Sequence, residues 1–134
     1  MTAAAVRVGI DLVQVSRIAE SLDTFGERFL RRVFTESEIA YATSVPSQAA
    51  ERLAARFAAK EATIKALGLV DHPMNWREIE VQRAPSGQCL MALHGGAGRA
   101  ASLAGVDELA VSMSHEGDYA TAVVVARVQE TAET

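Results

Sequence analysis

The apolar positions change period several times along the chain. Val6, Val8, Ile10 and Leu12 alternate with Arg7, Gly9, Asp11 and Val13, a period of two that predicts a strand over residues 5–15. Ile18 and Leu22, four apart, open a helix from residue 15, and Phe25, Phe29, Val33 and Phe34 form a second apolar set. Thr35 followed three residues later by Glu38 has capping-box spacing and predicts a helix through Ile39, Ala40 and Tyr41. Val45-Pro46-Ser47 then breaks the chain. Residues 47–67 are mostly strong helix formers, with Ser47 as the expected N-cap and Gly68 as the expected stop. Asp71, His72, Pro73 and Asn75 mark an irregular stretch over 68–77. Strands over 79–83 and 88–94 flank Pro85-Ser86-Gly87 as a hairpin. Gly95 and Gly96 lead into an Ala-rich helix ending near Gly105. Leu109, Val111 and Met113 alternate with Ala110, Ser112 and Ser114, and Glu116-Gly117-Asp118 turns the chain. Residues 119–128 are apolar enough for a central strand. The polar tail from Gln129 is expected to fray.

This order predicts an α+β domain, a mainly antiparallel sheet packed against a long central helix. The expected domain covers residues 1–128, with 129–134 as a tail. A chain of 134 residues, 49% hydrophobic and 22% charged, is one globular domain with a real core. Aromatics make up only 5%, so the core is expected to be Ala, Val, Leu and Ile. The net charge of −4 argues against a general nucleic-acid binder. No stretch approaches the ~20 apolar residues of a membrane span, and Arg7 and Asp11 break the apolar run that a signal peptide would need. The expectation is a soluble cytoplasmic protein. Cys89 is the single cysteine, so neither an intrachain disulfide nor a thiolate metal cluster can form. It is expected as a buried small hydrophobe.

The charges of the central helix change this picture. At about 100° per residue, Leu53, Phe57, Ile64 and Leu67 fall on one narrow face. Lys60 falls in its middle, Arg56 on one shoulder and Glu61 on the other. One reading is a polar cleft, with Arg56, Lys60 and Lys65 facing an anion and Glu61 a cation. The other is bland. Lysine stems can run along apolar surface, and Glu61–Lys65 can be a surface pair worth about 0.2–0.5 kcal/mol. Asp11, between Ile10 and Leu12, is likewise either a ligand or a strand-end turn residue. Arg28, Arg31 and Arg32 either dock an acidic partner or are simply solvated. His72 and His94 occupy ordinary loop and strand-end places, whereas His115 sits at a hairpin mouth. No nucleophile elbow, Walker loop or Rossmann fingerprint is present. Isolated carboxylates beside cationic side chains suit Mg²⁺ and a phosphate, and hence phosphoryl or phosphodiester chemistry.

Three segments together resemble the holo-acyl-carrier-protein synthases, the small 4′-phosphopantetheinyl transferases. They are GIDLVQVSRI from Gly9, RFAAKEATIKALG from Arg56 and SMSHEGDYATAVV from Ser112, in matching order and spacing; FTESE from Phe34 also fits. The resemblance covers nearly the whole chain. It implies Mg²⁺-dependent transfer of the phosphopantetheine arm of coenzyme A to a serine hydroxyl of an apo acyl carrier protein, or of a carrier domain of a fatty acid synthase. Adenosine 3′,5′-bisphosphate would leave. It implies Asp11 and Glu61 as metal ligands, and Asp11, Glu61 and Lys65 as the catalytic set. Arg56, Lys60, Lys65, Gly87, Ser114 and His115 would bind coenzyme A. Arg17, Arg28, Arg31 and Arg32 would face the carrier, and whether Glu61 or a metal-bound water takes the serine proton stays open. It also implies a homotrimer with each site between adjacent subunits. Where that family usually has a proline shortly after the hairpin glycine, this chain has Gln88 and Cys89. A non-catalytic module of the same fold and a Mg²⁺-dependent nucleotide hydrolase are the competing readings.

Overall fold

The computed structural model describes the backbone of residues 2–131 and the side chains of residues 5–129. Among the described residues, five strands and five α-helices follow one another as β1 (Thr2–Gln14), α1 (Val15–Phe25), α2 (Glu27–Val33), α3 (Glu36–Thr43), α4 (Ala49–Leu67), β2 (Ile79–Arg83), β3 (Cys89–Leu93), α5 (Gly95–Leu103), β4 (Val106–Glu116) and β5 (Tyr119–Thr131). Two antiparallel sheets result, one in the order β1-β5-β4 and one of β2 with β3. The most apolar strand, β5, is central, as its sequence predicts. Among the described residues no helix is long and apolar enough to cross a membrane.

Small residues decide where α4 sits. Its Ala54, Ala58, Ala59, Ala62 and Ala66 are buried, as are Ala120, Ala122, Val124 and Ala126 of β5, and all belong to one core cluster. The approach is closest at Gly9 of β1. A Cβ placed there would lie 2.0 Å from the Ala62 carbonyl oxygen and 2.8 Å from the Ala66 nitrogen. The expected apolar face is therefore divided among different neighbours. Leu53 enters the main core, Phe57 stacks on Trp76 with ring centroids 5.1 Å apart, and Ile64 and Leu67 join a second cluster with Leu69 and Ala101. Alanine periodicity, not leucine periodicity, marks the sheet-facing side.

Local signals set most boundaries. Gly26, at φ 56°, separates α1 from α2. The Thr35–Glu38 capping box forms as its spacing predicts. Gly68 ends α4 in the left-handed conformation at φ 71°. Ser47 is a correction: Pro46 opens a 3₁₀ turn over Pro46–Gln48, which takes Ser47 up inside it. Helix α4 begins after Gln48 with no side-chain cap. The fray expected from Gln129 is also corrected, because β5 runs to Thr131 and pairs it with Thr2; residues 132–134 lie outside the described region. Cys89 is half-buried at the core margin rather than fully buried.

A polar network joins α3 to the hairpin. Glu80 of β2 accepts hydrogen bonds from Thr35 Oγ1 and Ser37 Oγ, both at 2.7 Å, and from Gln82 Nε2 at 3.2 Å. His94 Nε2 lies 3.0 Å from its other oxygen. Burial opposes ionisation, but the bonds from Ser37, Thr35, His94 and Gln82 outweigh it and hold the Glu80 carboxyl at about 2. The outer sheet face is different. Val6, Val8, Ile10 and Leu12 are 60–70% exposed, so the apolar stripe of β1 points away from α4.

Two outcomes follow from the packing. Gly9→Ala pushes a methyl group into helix backbone that cannot rotate away, and its cost is expected at the upper end of the ~1–3 kcal/mol of overpacking, read as a lower urea midpoint. Glu80→Gln is expected to destabilise at neutral pH. A depressed carboxyl contributes stability above its ordinary range and loses it as pH falls towards about 2, so the midpoint gap to wild type closes over that interval.

Candidate active site

The alternation that turns Gly9 and buried Val13 towards α4 turns Asp11 the same way. Glu61 and Lys65 are one turn apart on α4 and reach the same side. Lys65 Nζ lies 3.2 Å from Asp11 Oδ1 and donates to the Ile10 carbonyl at 2.9 Å. Asp11 and Glu61 line one cleft of about 610 Å³, walled by Arg17, Ser21, Phe29 and Phe57. Burial pushes the Glu61 carboxyl up, nearby Asp11 pushes it further, and Lys65 works against both. Two carboxylates that line one cleft gain from a cation between them. Their all-oxygen donor set fits Mg²⁺, which takes one or two carboxylates and completes its shell with water and phosphate oxygens. Among the described residues no group of three or more His, Cys, Asp or Glu could hold a metal.

Lys60 is not presented to this cleft. Its side chain is fully buried, with Nζ 2.8 Å from Glu38 Oε1. It also donates to the Trp76 carbonyl at 3.1 Å and to the Ile79 carbonyl. Three partners use its three protons, so the expected contact with coenzyme A phosphates is corrected. Burial lowers the ammonium pKa and Glu38 raises it. Glu38 in turn accepts from the Val81 and Thr35 backbone N–H groups. The pair ties α4 to α3 and β2, one residue away from Glu61. Lys60 falls mid-face because that face is covered by α3 and the hairpin rather than by a ligand.

Arg56, Ser114 and His115 line a second cavity, of about 190 Å³, with Tyr41, Glu51 and Arg52. The guanidinium groups of Arg52, Arg56 and Arg83 lie 4.2, 4.4 and 5.1 Å from the Tyr41 ring centroid. Arg56 is buried, and burial lowers its pKa. His115 Nδ1 lies 3.3 Å from Glu51 Oε2. Gly87, at φ 92° in the hairpin turn, stands behind Arg83 rather than in the cavity. The i,i+4 spacing of Arg52 and Arg56 signals a shared face, but no sequence signal places Tyr41 between them. Asp11 lies on edge strand β1 and His115 on edge strand β4, with β5 between. Two interstrand spacings, ~10 Å, separate these edges. The site residues thus form two clusters, one on each side of α4.

Arg17 belongs to the Asp11–Glu61 cleft. Arg28, Arg31 and Arg32 surround a separate surface cleft with Phe25 and Phe29, and Phe29 walls both. Arg31 is engaged by Glu27 at 2.8 Å.

The description "4′-phosphopantetheinyl transferase superfamily" matches residues 7–124. The chain belongs to that superfamily. Among curated relatives, a holo-[acyl-carrier-protein] synthase of Koribacter versatilis is 46% identical over 118 residues, 87% of this chain and 94% of the relative. One from Herpetosiphon aurantiacus is 44% identical over 124 residues, again 87% and 94%. The fold matches the Chronobacterium ammoniagenes ACPS–CoA complex at a TM-score of 0.81, with 38% identity over 92% of this chain and 98% of that one. It matches the Helicobacter pylori holo-[acyl-carrier-protein] synthase in complex with coenzyme A at 0.77, with 29% identity over 89% and 98%. As a member of the 4′-phosphopantetheinyl transferases the chain is an enzyme, and both clusters fall within the matched residues.

The two lysines of the helix should separate by experiment. Lys60→Met leaves a buried Glu38 carboxylate unpaired, and is expected to cost about 3–5 kcal/mol in denaturant unfolding. Lys65→Ala removes a half-exposed pair and is expected to cost only about 0–1 kcal/mol in the same measurement.

Proposed function

We propose that the chain is a holo-acyl-carrier-protein synthase that uses coenzyme A and Mg²⁺. The observation that carries this reading is the facing pair Asp11–Glu61 with Lys65 beside it, in a chain of this family. Asp11 and Glu61 would hold Mg²⁺, which when bound supplies charge neutralisation to the diphosphate. Lys65 would offset charge on the leaving phosphate. The serine oxygen of the carrier forms a bond to the β-phosphorus, and the bond from that phosphorus to the bridging oxygen breaks. The 4′-phosphopantetheine arm stays on the serine, and adenosine 3′,5′-bisphosphate departs. The serine proton passes to Glu61 or to a water.

Arg56 and His115 would bind the nucleotide phosphates, with Ser114 beside them and the Gly87 hairpin behind Arg83. The family resemblance that suggests these site residues also implies a site between adjacent copies, so the reading includes a homo-oligomer. The trimeric count comes from the family resemblance. The exposed apolar stripe Val6, Val8, Ile10 and Leu12 supports burial against other copies. Arg17, Arg28, Arg31 and Arg32, with Phe25 58% exposed among them, form a basic and apolar surface suited to an acidic carrier protein or carrier domain of a fatty acid synthase.

Intact mass of an apo acyl carrier protein, after incubation with the enzyme, coenzyme A and Mg²⁺, tests this. The expected result is a gain of one phosphopantetheine that EDTA abolishes. Glu61→Gln should lower the rate on the order of 10²-fold or more with the fold unchanged by circular dichroism. Cleavage of coenzyme A without transfer would instead indicate a hydrolase.

A further inference from the structure

Helix α1 starts directly where β1 ends, with no loop between Gln14 and Val15. Its first turn has free backbone N–H groups, as every helix does. Gln14 provides no side-chain cap, and the cap comes instead from the far end of the chain. The Asp118 carbonyl accepts the Val15 N–H at 2.8 Å. Asp118 Oδ1 accepts the Ser16 N–H at 3.0 Å, and Asp118 Oδ2 accepts the Ser16 hydroxyl at 2.7 Å. One residue of the β4–β5 turn thus makes three bonds to the corner where strand becomes helix.

A local cap would stabilise α1 equally well without fixing its direction. A cap from another element fixes both. Asp118 follows Gly117, whose φ of 58° makes the turn, and precedes Tyr119, which walls the Asp11–Glu61 cleft. Arg17 follows Ser16 and walls the same cleft, with Ser21 one turn further along α1. The direction in which α1 leaves the sheet therefore sets how far Arg17 stands from the two carboxylates. At its other end α1 stops at Gly26, whose φ of 56° turns the chain into α2, so the bonds from Asp118 are what tie its N-terminus to the sheet.

We propose that Asp118 is a positioning residue for carrier recognition: through Ser16 and Val15 it clamps the N-terminus of α1 and so holds Arg17 at the mouth of the Asp11–Glu61 cleft. This rests on the transferase reading above. Asp118 touches no substrate in this role and acts through Arg17.

The test uses the full chain with Ser16→Ala, Asp118→Ala and Asp118→Asn, each also combined with Arg17→Ala. KM for apo carrier protein, KM for coenzyme A and kcat are measured, with carrier Kd by titration. Asp118→Ala should raise carrier KM and Kd by up to about fivefold, the upper end of what one displaced exposed ion pair, that of Arg17, is worth. Its coenzyme A KM should stay within twofold, and Asp118→Asn, which keeps an acceptor, should recover most of the loss. In the Arg17→Ala background the Asp118→Ala effect should largely vanish, because both changes act through one side chain. A cap that only stabilises the helix would lower the melting temperature and leave carrier KM unchanged, which would overturn the proposal. An Asp118→Ala effect of equal size with and without Arg17 would overturn it as well. If Asp118→Ala does not fold, Ser16→Ala, which keeps both backbone bonds, decides by the same criteria. Wild type that binds the carrier without transferring the arm would refute the transferase reading, and the clamp would then stand or fall on Kd alone. Absence of carrier binding by wild type would refute both.

Discussion

Everything in this fold depends on how closely α4 lies on β1. Only glycine at position 9 lets the strand pass beneath the Ala62 carbonyl, and only alanines along α4 let the helix settle on β5. Asp11 comes two residues after Gly9, and Glu61 immediately precedes Ala62. The backbone contact that excludes side chains thus brings the two carboxylates to a common cleft. A wider spacing would leave each acid an ordinary surface residue.

The same helix carries two kinds of lysine, and position around the helix separates them. Lys60 turns towards α3 and the hairpin, where Glu38 and two carbonyls consume its protons. Lys65 turns towards β1, half-exposed, where it meets the Asp11 carboxylate and the Ile10 carbonyl with Glu61 nearby. The first is a fastening and the second is available to a ligand. A buried ion pair is a poor source of net stability but is costly to break, so Lys60–Glu38 acts chiefly to fix α4 in rotation and with it the outward aim of Glu61.

How much of this was legible in the sequence depended on whether the deciding contact was local. Period-two strands, the Thr35–Glu38 box and Gly68 speak through neighbours a few residues away, and they form as expected. For Asp11, Glu61 and Lys65 the pattern left a ligand reading beside a bland one, a turn residue and a surface pair; what it could not show is that the fold brings Asp11 and Glu61 into one cleft with Lys65 beside Asp11. Lys60 showed the same signature and meant something else, because its partner Glu38 lies on another helix and no spacing announces it. The pairing of Thr2 with Thr131, Tyr41 among three arginines and Asp118 at the start of α1 are also contacts between distant segments. Ser47 failed for a local reason, since Pro46 favoured a 3₁₀ turn over a cap. The division of the site into two clusters followed from strand order, which hydrophobic pattern does not encode.

An alanine-lined interior also has a thermal character of its own. Burying alanine freezes no side-chain rotamers, so α4 docks without the entropic penalty that leucine or methionine would bring. It also removes less apolar surface from water per residue, and the heat capacity of unfolding scales with that surface. The stability curve of this enzyme should therefore be flatter against temperature than that of a leucine-cored domain of equal length, with a slower decline on either side of its maximum.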